Sequence, residues 1–468
     1  MFRKGIGEYI YDLYMKYKED IPIFIFAMIM LKFSRRWQDS ALGYVFFPIM
    51  CFIVYRMPLE RKLHTLIFLI PWAESRQLPG QMFGIVGFNL INFLFLMIGI
   101  SVLAQRRVLL MRSEMTGGLV IYILMILIAA IRGIGTIPYF GGYYDLTKYF
   151  LNTFLKPLEI VLAGIMAFYV LREPKQATHF LRIIKLSGLM LGMYVLFRSG
   201  HTIDSIWGMT RTLGIHKNAI SFIFLTLLSM NLVTMEYGSK GEKLFSVFCS
   251  AVYILAIMFV FSRMGYVTCV VVLFLYSMRK GLRWVVLYMV GLALFWQFFI
   301  PFPVKQRIFT GTVKGYEMGI AEHLTGDISA GRAETWRACM PALRDNILFG
   351  QGRFAYIKTV RKKNPDLPMH PHNAYIQSLL DHGIFGSMLF IGFYVFLLIK
   401  SWHLYRRSKS KFASSYGFGF FLCTVVFLLQ GYTGFRFYPY EESYFFWFYL
   451  GGMMWVLNNQ KYLMEHGM

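Results

Sequence analysis

The sequence predicts an all-α integral membrane protein. Of its 468 residues, 57% are hydrophobic and only 15% are charged, and the mean hydropathy is +0.51. A soluble fold could not cover so much apolar surface. Apolar runs of about 17–25 residues, the length that crosses a bilayer as a helix, recur along almost the whole chain. We therefore expect one polytopic membrane domain over residues 1–468, without separate soluble domains.

The positive charge follows the pattern of a membrane protein. A net charge of +24 would indicate a nucleic-acid partner in a soluble protein, but here much of it lies in short connections between apolar runs. Such basic connections face the cytoplasm in most membrane proteins. No nucleic-acid partner is therefore expected. The connections that we assign to the cytoplasm are Gln105–Arg112, Arg172–Lys185, Gly238–Lys243, Arg279–Arg283 and Ser401–Lys411.

Hydropathy and charge together predict about 12 transmembrane helices. The first 80 residues fit this pattern least well, because runs 21–33 and 41–55 are short and the basic Arg56–Lys62 falls on the outer side in strict alternation. From residue 81 onward the chain alternates consistently. The spans predicted there are 81–104, 116–131, 155–171, 180–198, 217–235, 244–261, 264–278, 284–302, 384–400, 415–430 and 443–457.

One connection is much longer than the others and faces outward. This segment, 303–383, is polar and loop-like, and a long ordered loop is usually functional. Within it, Ala333–Arg344 has apolar residues at helical spacing between basic ones, which predicts a short amphipathic helix at the membrane surface. Gly350 and Gly352 predict a turn or a close backbone approach, because no Lys-Ser or Lys-Thr follows to make a phosphate loop.

The long loop ends in His370-Pro371-His372-Asn373. Asn373 is a favoured helix N-cap, Ala374–Asp381 has helical composition, and Gly383 is placed to end that helix. His372 would then lie at a helix N-terminus, where the positive end of the helix dipole favours a neutral imidazole. A neutral imidazole can take a proton from a sugar hydroxyl. The alternative is that both histidines are polar loop residues that cover a helix end.

Two arginines lie at the outer ends of predicted spans. Arg263 stands between two apolar runs with almost no connecting loop, and Arg211 lies just before the span that begins near residue 217. An arginine at the membrane without a nearby acid is costly and is a functional candidate by default. Its planar fork of donors fits phosphate oxygens well. The alternative is contact with lipid headgroups by snorkelling.

These motifs resemble those of a known family. His372-Asn373-x9-Gly383-x-x-Gly386 is similar to the signature of bacterial O-antigen ligases, which share a superfamily with O-antigen and exopolysaccharide polymerases. Ser262-Arg263, Arg211-x-x-Gly214 with Asn218, and Gly331-Arg332-x3-Trp336 followed by Gly350-x-Gly352 also resemble that superfamily. The resemblance covers residues 200–400 approximately, and the N-terminal half shares only its apolar helices.

The resemblance implies a metal-independent glycosyltransferase in the bacterial inner membrane, with its active site open to the periplasm. Its donor would be a glycan on undecaprenyl diphosphate. Its acceptor would be the lipid A core or another glycan, and membrane lipids would surround it. No cofactor is implied. The sequence also has no Asp-x-Asp motif and no set of carboxylates beside His370 and His372, so no metal site is expected.

In the mechanism that we expect, His372, alone or aided by His370, takes the proton of the acceptor hydroxyl while Arg211 and Arg263 stabilise charge on the leaving diphosphate. A single displacement should invert the anomeric centre, because no carboxylate is placed as a covalent nucleophile. The nearest acid, Asp381, is expected to cap or solvate its helix. The residues assigned to substrate binding are His370, Asn373, Arg332, Arg353 and His216.

Three functions remain open at this point. A ligase, which we favour, joins O-antigen to the lipid A core, whereas a polymerase of the same superfamily extends another lipid-linked chain. Arg332 and Arg353 belong to a basic loop that could attract core phosphates or anionic lipid headgroups. A flippase for lipid-linked glycan belongs to another class and should carry charges through its spans.

Overall fold

The computed structural model describes most of the chain. The described residues are 20–37, 41–73, 85–105, 113–198, 203–298, 331–434 and 437–465, together with a few positions among the first 82. The first part of the predicted loop, 303–330, lies outside the described residues. The extent of that loop and its side of the membrane therefore stay predictions.

Almost all of the described secondary structure is helical. Two-residue strands at Gln81–Met82 and Ile85–Val86 pair antiparallel. The helices are α1 Ile21–Trp37, α2 Ala41–Arg56, α3 Leu59–Leu69, α4 Leu90–Ala104, α5 Thr116–Arg132, α6 Leu146–Phe150, α7 Lys156–Val170, α8 Pro174–Arg198, α9 Ile203–Leu213, α10 Lys217–Tyr237, α11 Lys240–Phe259, α12 Arg263–Lys280, α13 Leu282–Phe298, α14 Arg332–Asp345, α15 Ala374–Arg407, α16 Lys411–Gly431, α17 Tyr444–Asn458 and α18 Gln460–Glu465.

Several of these helices are long and apolar enough to cross a bilayer. Among the described residues there are seven, namely Thr116–Phe140, Leu146–Val170, Pro174–Arg198, Lys217–Tyr237, Lys240–Phe259, Ala374–Arg407 and Lys411–Gly431. Shorter apolar helices cover Val45–Arg56, Leu90–Ala104 and Leu282–Leu294. The prediction of an all-α, membrane-spanning fold is confirmed. The count of about 12 transmembrane helices is not.

Two predicted spans need correction. The span predicted from residue 81 begins with the short hairpin, so α4 starts only at Leu90. The span predicted from residue 384 is the second part of α15, which begins at Ala374. Gly383 has non-helical backbone angles, with φ 69° and ψ −172°, yet the chain turns helical again directly after it. The glycine therefore breaks this helix instead of ending it.

The basic connection Arg56–Lys62 also differs from its prediction. Glu60 accepts a hydrogen bond from Gln176 Nε2 at 3.3 Å and lies 3.3 Å from Nδ1 of His179. Both partners belong to the start of α8, directly after the basic Arg172. The connection thus lies at the same end of the bundle as the other basic connections. Strict alternation of spans across the membrane placed Arg56–Lys62 on the outer side because it counted only two apolar runs. The described residues before position 80 contain a further helix, α3.

The bundle has two distinct ends, which we define by α16. The site end is where α16 finishes and where α10, α12 and α15 begin, because Gln430 of α16 contacts Met264 of α12 and the side chain of Tyr375 in α15 reaches the Leu428 carbonyl. The basic end is where α16 starts, beside α8 and the end of α10. A helix of this length separates the two ends by about 30 Å.

The core of the bundle is built around α10. This helix is 89% buried over its apolar window, whereas the corresponding windows of α5 and α15 are 39% buried. A helix that is apolar all round fits the centre of a bundle, and helices that leave an apolar face uncovered fit its lipid-facing rim. Of the helices that begin beside predicted site residues, α10 is therefore central, whereas α15 leaves an apolar face uncovered.

Glycines allow α7 and α17 to pack in backbone contact. A Cβ on Gly164 would lie 2.4 Å from the Trp447 carbonyl oxygen, and one on Gly451 would lie 2.0 Å from the Gly164 carbonyl oxygen. Small residues at such crossings let membrane helices approach closely. Any larger side chain at either position would force the two helices apart.

We predict that Gly164→Val destabilises the fold by about 1–3 kcal/mol or more, because the added side chain overpacks this crossing. The measurement is the thermal unfolding midpoint of the purified protein in detergent. Gly392→Val is the matched control, since no described heavy atom lies within 4 Å of a Cβ at that glycine of α15. Equal midpoints for the two variants would contradict the prediction.

Candidate active site

The histidine element begins α15 as the sequence predicted. Asn373 is the N-cap, and its Oδ1 accepts hydrogen bonds from the backbone N–H groups of Tyr375 and Ile376 at 3.0 and 3.1 Å. The Asn373 side chain is buried, so its amide serves the helix end. This cap fixes the start of α15 and therefore the direction from which the chain, through His372, enters the helix.

His372 adopts an uncommon backbone conformation. Its φ is 50°, in the left-handed region, and its ring centroid lies 3.9 Å from that of His370 at an interplanar angle of 60°. Both histidines are partly exposed. A non-glycine residue in this region costs about 1–3 kcal/mol unless its surroundings compensate, and such residues cluster at functional sites. The two imidazoles thus form an edge-on pair at the start of α15.

The histidine element is held by α14 and by the end of α16. Trp336 of α14 donates a hydrogen bond from Nε1 to the Pro371 carbonyl at 2.9 Å, and its ring packs edge-on against Tyr432 at 5.4 Å. A Cβ on Gly434 would lie only 3.5 Å from Nδ1 of His372. The amphipathic helix predicted at 333–344 therefore exists as α14, and it supports the histidine element from outside.

Arg263 lies at the first turn of α12. Ser262 is its N-cap and accepts a hydrogen bond from Gly265 N at 3.2 Å. The same hydroxyl donates to Asn218 Oδ1 at 3.0 Å, which joins the start of α12 to the start of α10. Phe261, two residues before Arg263, has φ 54°. The connection between α11 and α12 is thus a strained, tight turn that presents Arg263 at the site end.

The last turn of α16 links the arginine turn to the histidine element. Gln430 donates from Nε2 to the Met264 carbonyl at 3.3 Å and to Thr268 Oγ1 at 3.0 Å, both on α12. Two residues earlier, the Leu428 carbonyl accepts the hydroxyl of Tyr375 at 2.9 Å, on α15. One helix end therefore sets the spacing between the segments that carry Arg263 and His372.

His216 lies at the site end, at the start of α10. It is the N-cap of α10 and accepts a hydrogen bond from Asn218 N on Nδ1 at 3.3 Å. Desolvation of the ring, then the charges of Lys217 and Arg332, lower the pKa of His216 to about 4. The residue is nevertheless exposed to solvent. A neutral imidazole at pH 7 agrees with its role as acceptor, and Arg332, at the start of α14, is near enough for its charge to act on the ring.

Arg211 lies in the last turn of α9, just before the chain enters α10. Its side chain is exposed, whereas Met209 and Leu213 of the same helix are buried. Gly214 follows with φ 71° and turns the chain toward His216. The guanidinium therefore lies outside the packed core, at the end where the other predicted residues gather.

The break in α15 at Gly383 is filled by the chain that precedes the histidine element. Gln351 N and Gly352 N donate to the Leu380 and Asp381 carbonyls at 2.8 Å each, and Ile384 N donates to the Ile347 carbonyl at 2.7 Å. These are groups that an unbroken helix would satisfy internally. Segment 347–352 thus replaces the hydrogen bonds that the break removes.

Glycines let segment 347–352 approach the break in α15 closely enough to form these hydrogen bonds. A Cβ on Gly350 would lie 2.4 Å from Gly383 N, one on Gly352 would lie 2.3 Å from Gly133 N, and one on Gly383 would lie 2.4 Å from the Leu348 carbonyl carbon. All three of Gly350, Gly352 and Gly383 have positive φ. The prediction that Gly350 and Gly352 mark a close backbone approach is confirmed.

Arg353 is enclosed beside this break. It is 0% exposed, and it forms an ion pair from Nη1 to Asp381 Oδ2 at 3.3 Å. Nη2 donates to the Tyr440 hydroxyl at 2.6 Å, and the guanidinium lies 3.5 Å from the centroid of the Tyr438 ring. Since Arg353 is already paired and shielded, it can affect a substrate only through the residues around it.

The environment of Asp381 differs from its prediction. It is 1% exposed, and its Oδ1 accepts a hydrogen bond from Ala355 N at 3.2 Å, so it neither caps nor solvates its helix. Tyr438 donates to its Oδ2 at 3.2 Å and lies 2.8 Å from Nε2 of His382. Sequence reasoning missed this buried network of Arg353, Asp381, His382 and Tyr438. The signal available was an Asp-His pair directly before a helix-breaking glycine.

A described cavity of about 270 Å³ lies elsewhere, at the basic end. Its lining includes Arg182, Lys185 and Lys411, and none of the predicted site residues contributes to it. The residues predicted to act in catalysis instead lie at the site end. The geometry of the site end therefore rests on side-chain contacts and helix ends, not on an enclosed pocket.

The fold and the gathering of polar residues at one end define a multi-pass membrane protein. Residues 248–391 match the family model described as O-antigen ligase, which supports the O-antigen ligase and polymerase superfamily predicted from the motifs. The match includes Arg263, Arg332, Arg353 and the histidine element, whereas Arg211 and His216 lie before it. No curated protein matches the chain.

We predict that Arg353→Met destabilises the protein by about 3–5 kcal/mol, because it leaves the Asp381 carboxylate buried without its partner. The double variant Arg353→Met/Asp381→Leu should recover most of that loss. Thermal unfolding in detergent measures both, with Lys363→Met as a control on the exposed part of the same segment. If the double variant lost as much stability as the two single variants together, the pair would not be coupled.

Proposed function

We propose that this chain is a metal-independent, inverting membrane glycosyltransferase. It transfers a glycan from undecaprenyl diphosphate to an acceptor hydroxyl at the periplasmic face of the bacterial inner membrane. The observation that carries the proposal is that the start of α15, which follows His372, and the start of α12, which carries Arg263, both contact the last turn of α16. The family match over residues 248–391 supports the same class of reaction.

The site end suits a diphosphate. Three helices, α10, α12 and α15, begin there, and the N-terminus of a helix attracts anions through its free N–H groups and its dipole. Arg211, Lys217, Arg263 and Arg332 add positive charge at the same end. Fixed guanidinium groups can therefore stabilise the charge that develops on the leaving diphosphate, the task that a metal ion performs in other transferases.

The reaction is a single displacement. The imidazole of His372 takes the proton from the acceptor hydroxyl, and that oxygen forms a bond to the anomeric carbon of the donor. The bond from this carbon to the diphosphate oxygen breaks, and the leaving undecaprenyl diphosphate keeps the electron pair. Arg263 and Arg211 bind its oxygens, while His370, Asn373, His216 and Arg332 shape the substrate site. Arg353 positions the loop before the histidine element.

We assign the acceptor to the lipid A core, so that the enzyme is an O-antigen ligase. The polymerase alternative uses the same chemistry with another lipid-linked glycan as acceptor. A deletion strain separates them: polymer that stays on the lipid carrier indicates a ligase, and single repeat units on the core indicate a polymerase. If purified protein moved the lipid-linked glycan across a bilayer without transferring it, the function would be transport.

We predict that His372→Asn lowers the transfer rate by about 10²–10⁴-fold, because asparagine fits the left-handed backbone but cannot take the proton. The measurement is transfer from lipid-linked glycan to acceptor by purified protein. His403→Asn, an exposed histidine at the other end of α15, is the matched control and should keep the activity. A His372→Asn variant as active as the wild type would refute the assignment of the base.

We predict that Arg263→Gln and Arg211→Gln each lower kcat by about 10²-fold, because each removes a donor to the leaving diphosphate. Arg337→Gln, an exposed arginine on α14, is the control and should leave the rate unchanged. Steady-state kinetics at varied donor concentration distinguish binding of the donor from stabilisation of the transition state. A rise in KM alone, with kcat intact, would make these arginines binding groups that do not act on the transition state.

A further inference from the structure

A second cluster of ionisable side chains lies at the basic end, far from the candidate active site. It contains Asp20 before α1, Glu60 and His64 on α3, and His179 on α8. His64 and His179 pack edge-on, with ring centroids 4.6 Å apart. Ionisable groups buried between helices of a membrane protein are costly and are functional candidates. This cluster joins three helices that come from distant parts of the sequence.

Both ring nitrogens of His179 lie beside carboxylates, so a metal bound at Nε2 would leave Nδ1 supported by Glu60. Its Nε2 lies 2.5 Å from Asp20 Oδ1, and its Nδ1 lies 3.3 Å from Glu60 Oε1 on the other side of the ring. A histidine that binds a metal through one nitrogen commonly donates its other N–H to a carboxylate. Gln176 donates to the second oxygen of Glu60 at 3.3 Å, which fixes that carboxylate.

Two atoms of the cluster lack a hydrogen-bond partner among the described residues. They are Oδ2 of Asp20 and Nδ1 of His64, and the residues are only 1% and 2% exposed. A buried polar atom without a partner costs about 1–3 kcal/mol. An ion bound between these side chains would remove that cost. The unpartnered atoms are thus an independent sign of a missing ligand.

The spacing of these side chains suits a divalent transition-metal ion. One ligand atom each from Asp20, His64 and His179 lies within 4.8 Å of the others. In a tetrahedral zinc site, bonds of about 2.0–2.2 Å place ligand atoms roughly 3.4 Å apart. Binding would draw the more distant atoms together and separate Nε2 of His179 from Asp20 Oδ1, which lie 2.5 Å apart.

We propose that Asp20, His64 and His179 bind one Zn²⁺-type ion, with Glu60 positioning His179. Imidazole and carboxylate ligands suit zinc, and three protein ligands leave a fourth position for water. The ion cross-links α1, α3 and α8 and stabilises the N-terminal helices. This site is separate from the proposed transferase chemistry, and either proposal can fail without the other.

The test is metal binding by the full-length protein, purified without a polyhistidine tag and stripped with a chelator. Metal analysis after dialysis against Zn²⁺ should give one ion per chain, and Zn²⁺ should raise the unfolding midpoint. His64→Gln and His179→Gln should lose the ion. Glu60→Gln should weaken binding about 10–100-fold. His403→Gln, an exposed histidine at the end of α15 on the same side, should bind as the wild type does.

Two results would overturn the proposal. One is a stripped wild-type protein that takes up no zinc. The other is zinc uptake by His64→Gln and His179→Gln with wild-type affinity, which would mean an adventitious surface site. In either case the cluster is a structural contact in which His179 bridges two carboxylates. If the glutamine variants fail to fold, Co²⁺ titration of the wild type and of Glu60→Gln decides, because cobalt bound to nitrogen and oxygen ligands absorbs visible light.

Discussion

The contact between segment 347–352 and the break in α15 is the constraint on which the site end depends. Gly383 frees carbonyl and N–H groups inside the bundle, and only a second backbone at close range can satisfy them. That backbone belongs to the chain that leads to the histidine element. The buried pair of Arg353 and Asp381 fixes the same contact. The position of His372 therefore depends on the broken helix α15 and on segment 347–352, which packs into the break, and not only on the loop that carries it.

The polar groups of this protein divide between the two ends of the bundle. At the site end, helix N-termini gather together with Arg211, Arg263 and Arg332. At the basic end, acids and histidines pair with each other between helices. A single apolar bundle thus supports two different kinds of polar chemistry.

The sequence predicted local features well and long-range ones poorly. Apolar runs located α10, α11, α12 and α16 to within a few residues, and Asn373 was recognised as a cap because a cap depends only on its neighbours. Asp381 was misjudged because its partner, Arg353, is 28 residues away. The cluster of Asp20, His64 and His179 was missed for the same reason. Spacing along the chain carries no information on side chains that meet only after helices pack.

The left-handed backbone of His372 has a consequence for how this position can vary. Glycine would adopt φ 50° without strain, so selection for folding alone would favour glycine there. An imidazole kept at such a position is retained at the expense of stability, the usual sign of a trade-off between stability and activity. A directed-evolution screen for thermostability should therefore enrich His372→Gly. A screen for glycan transfer should remove it.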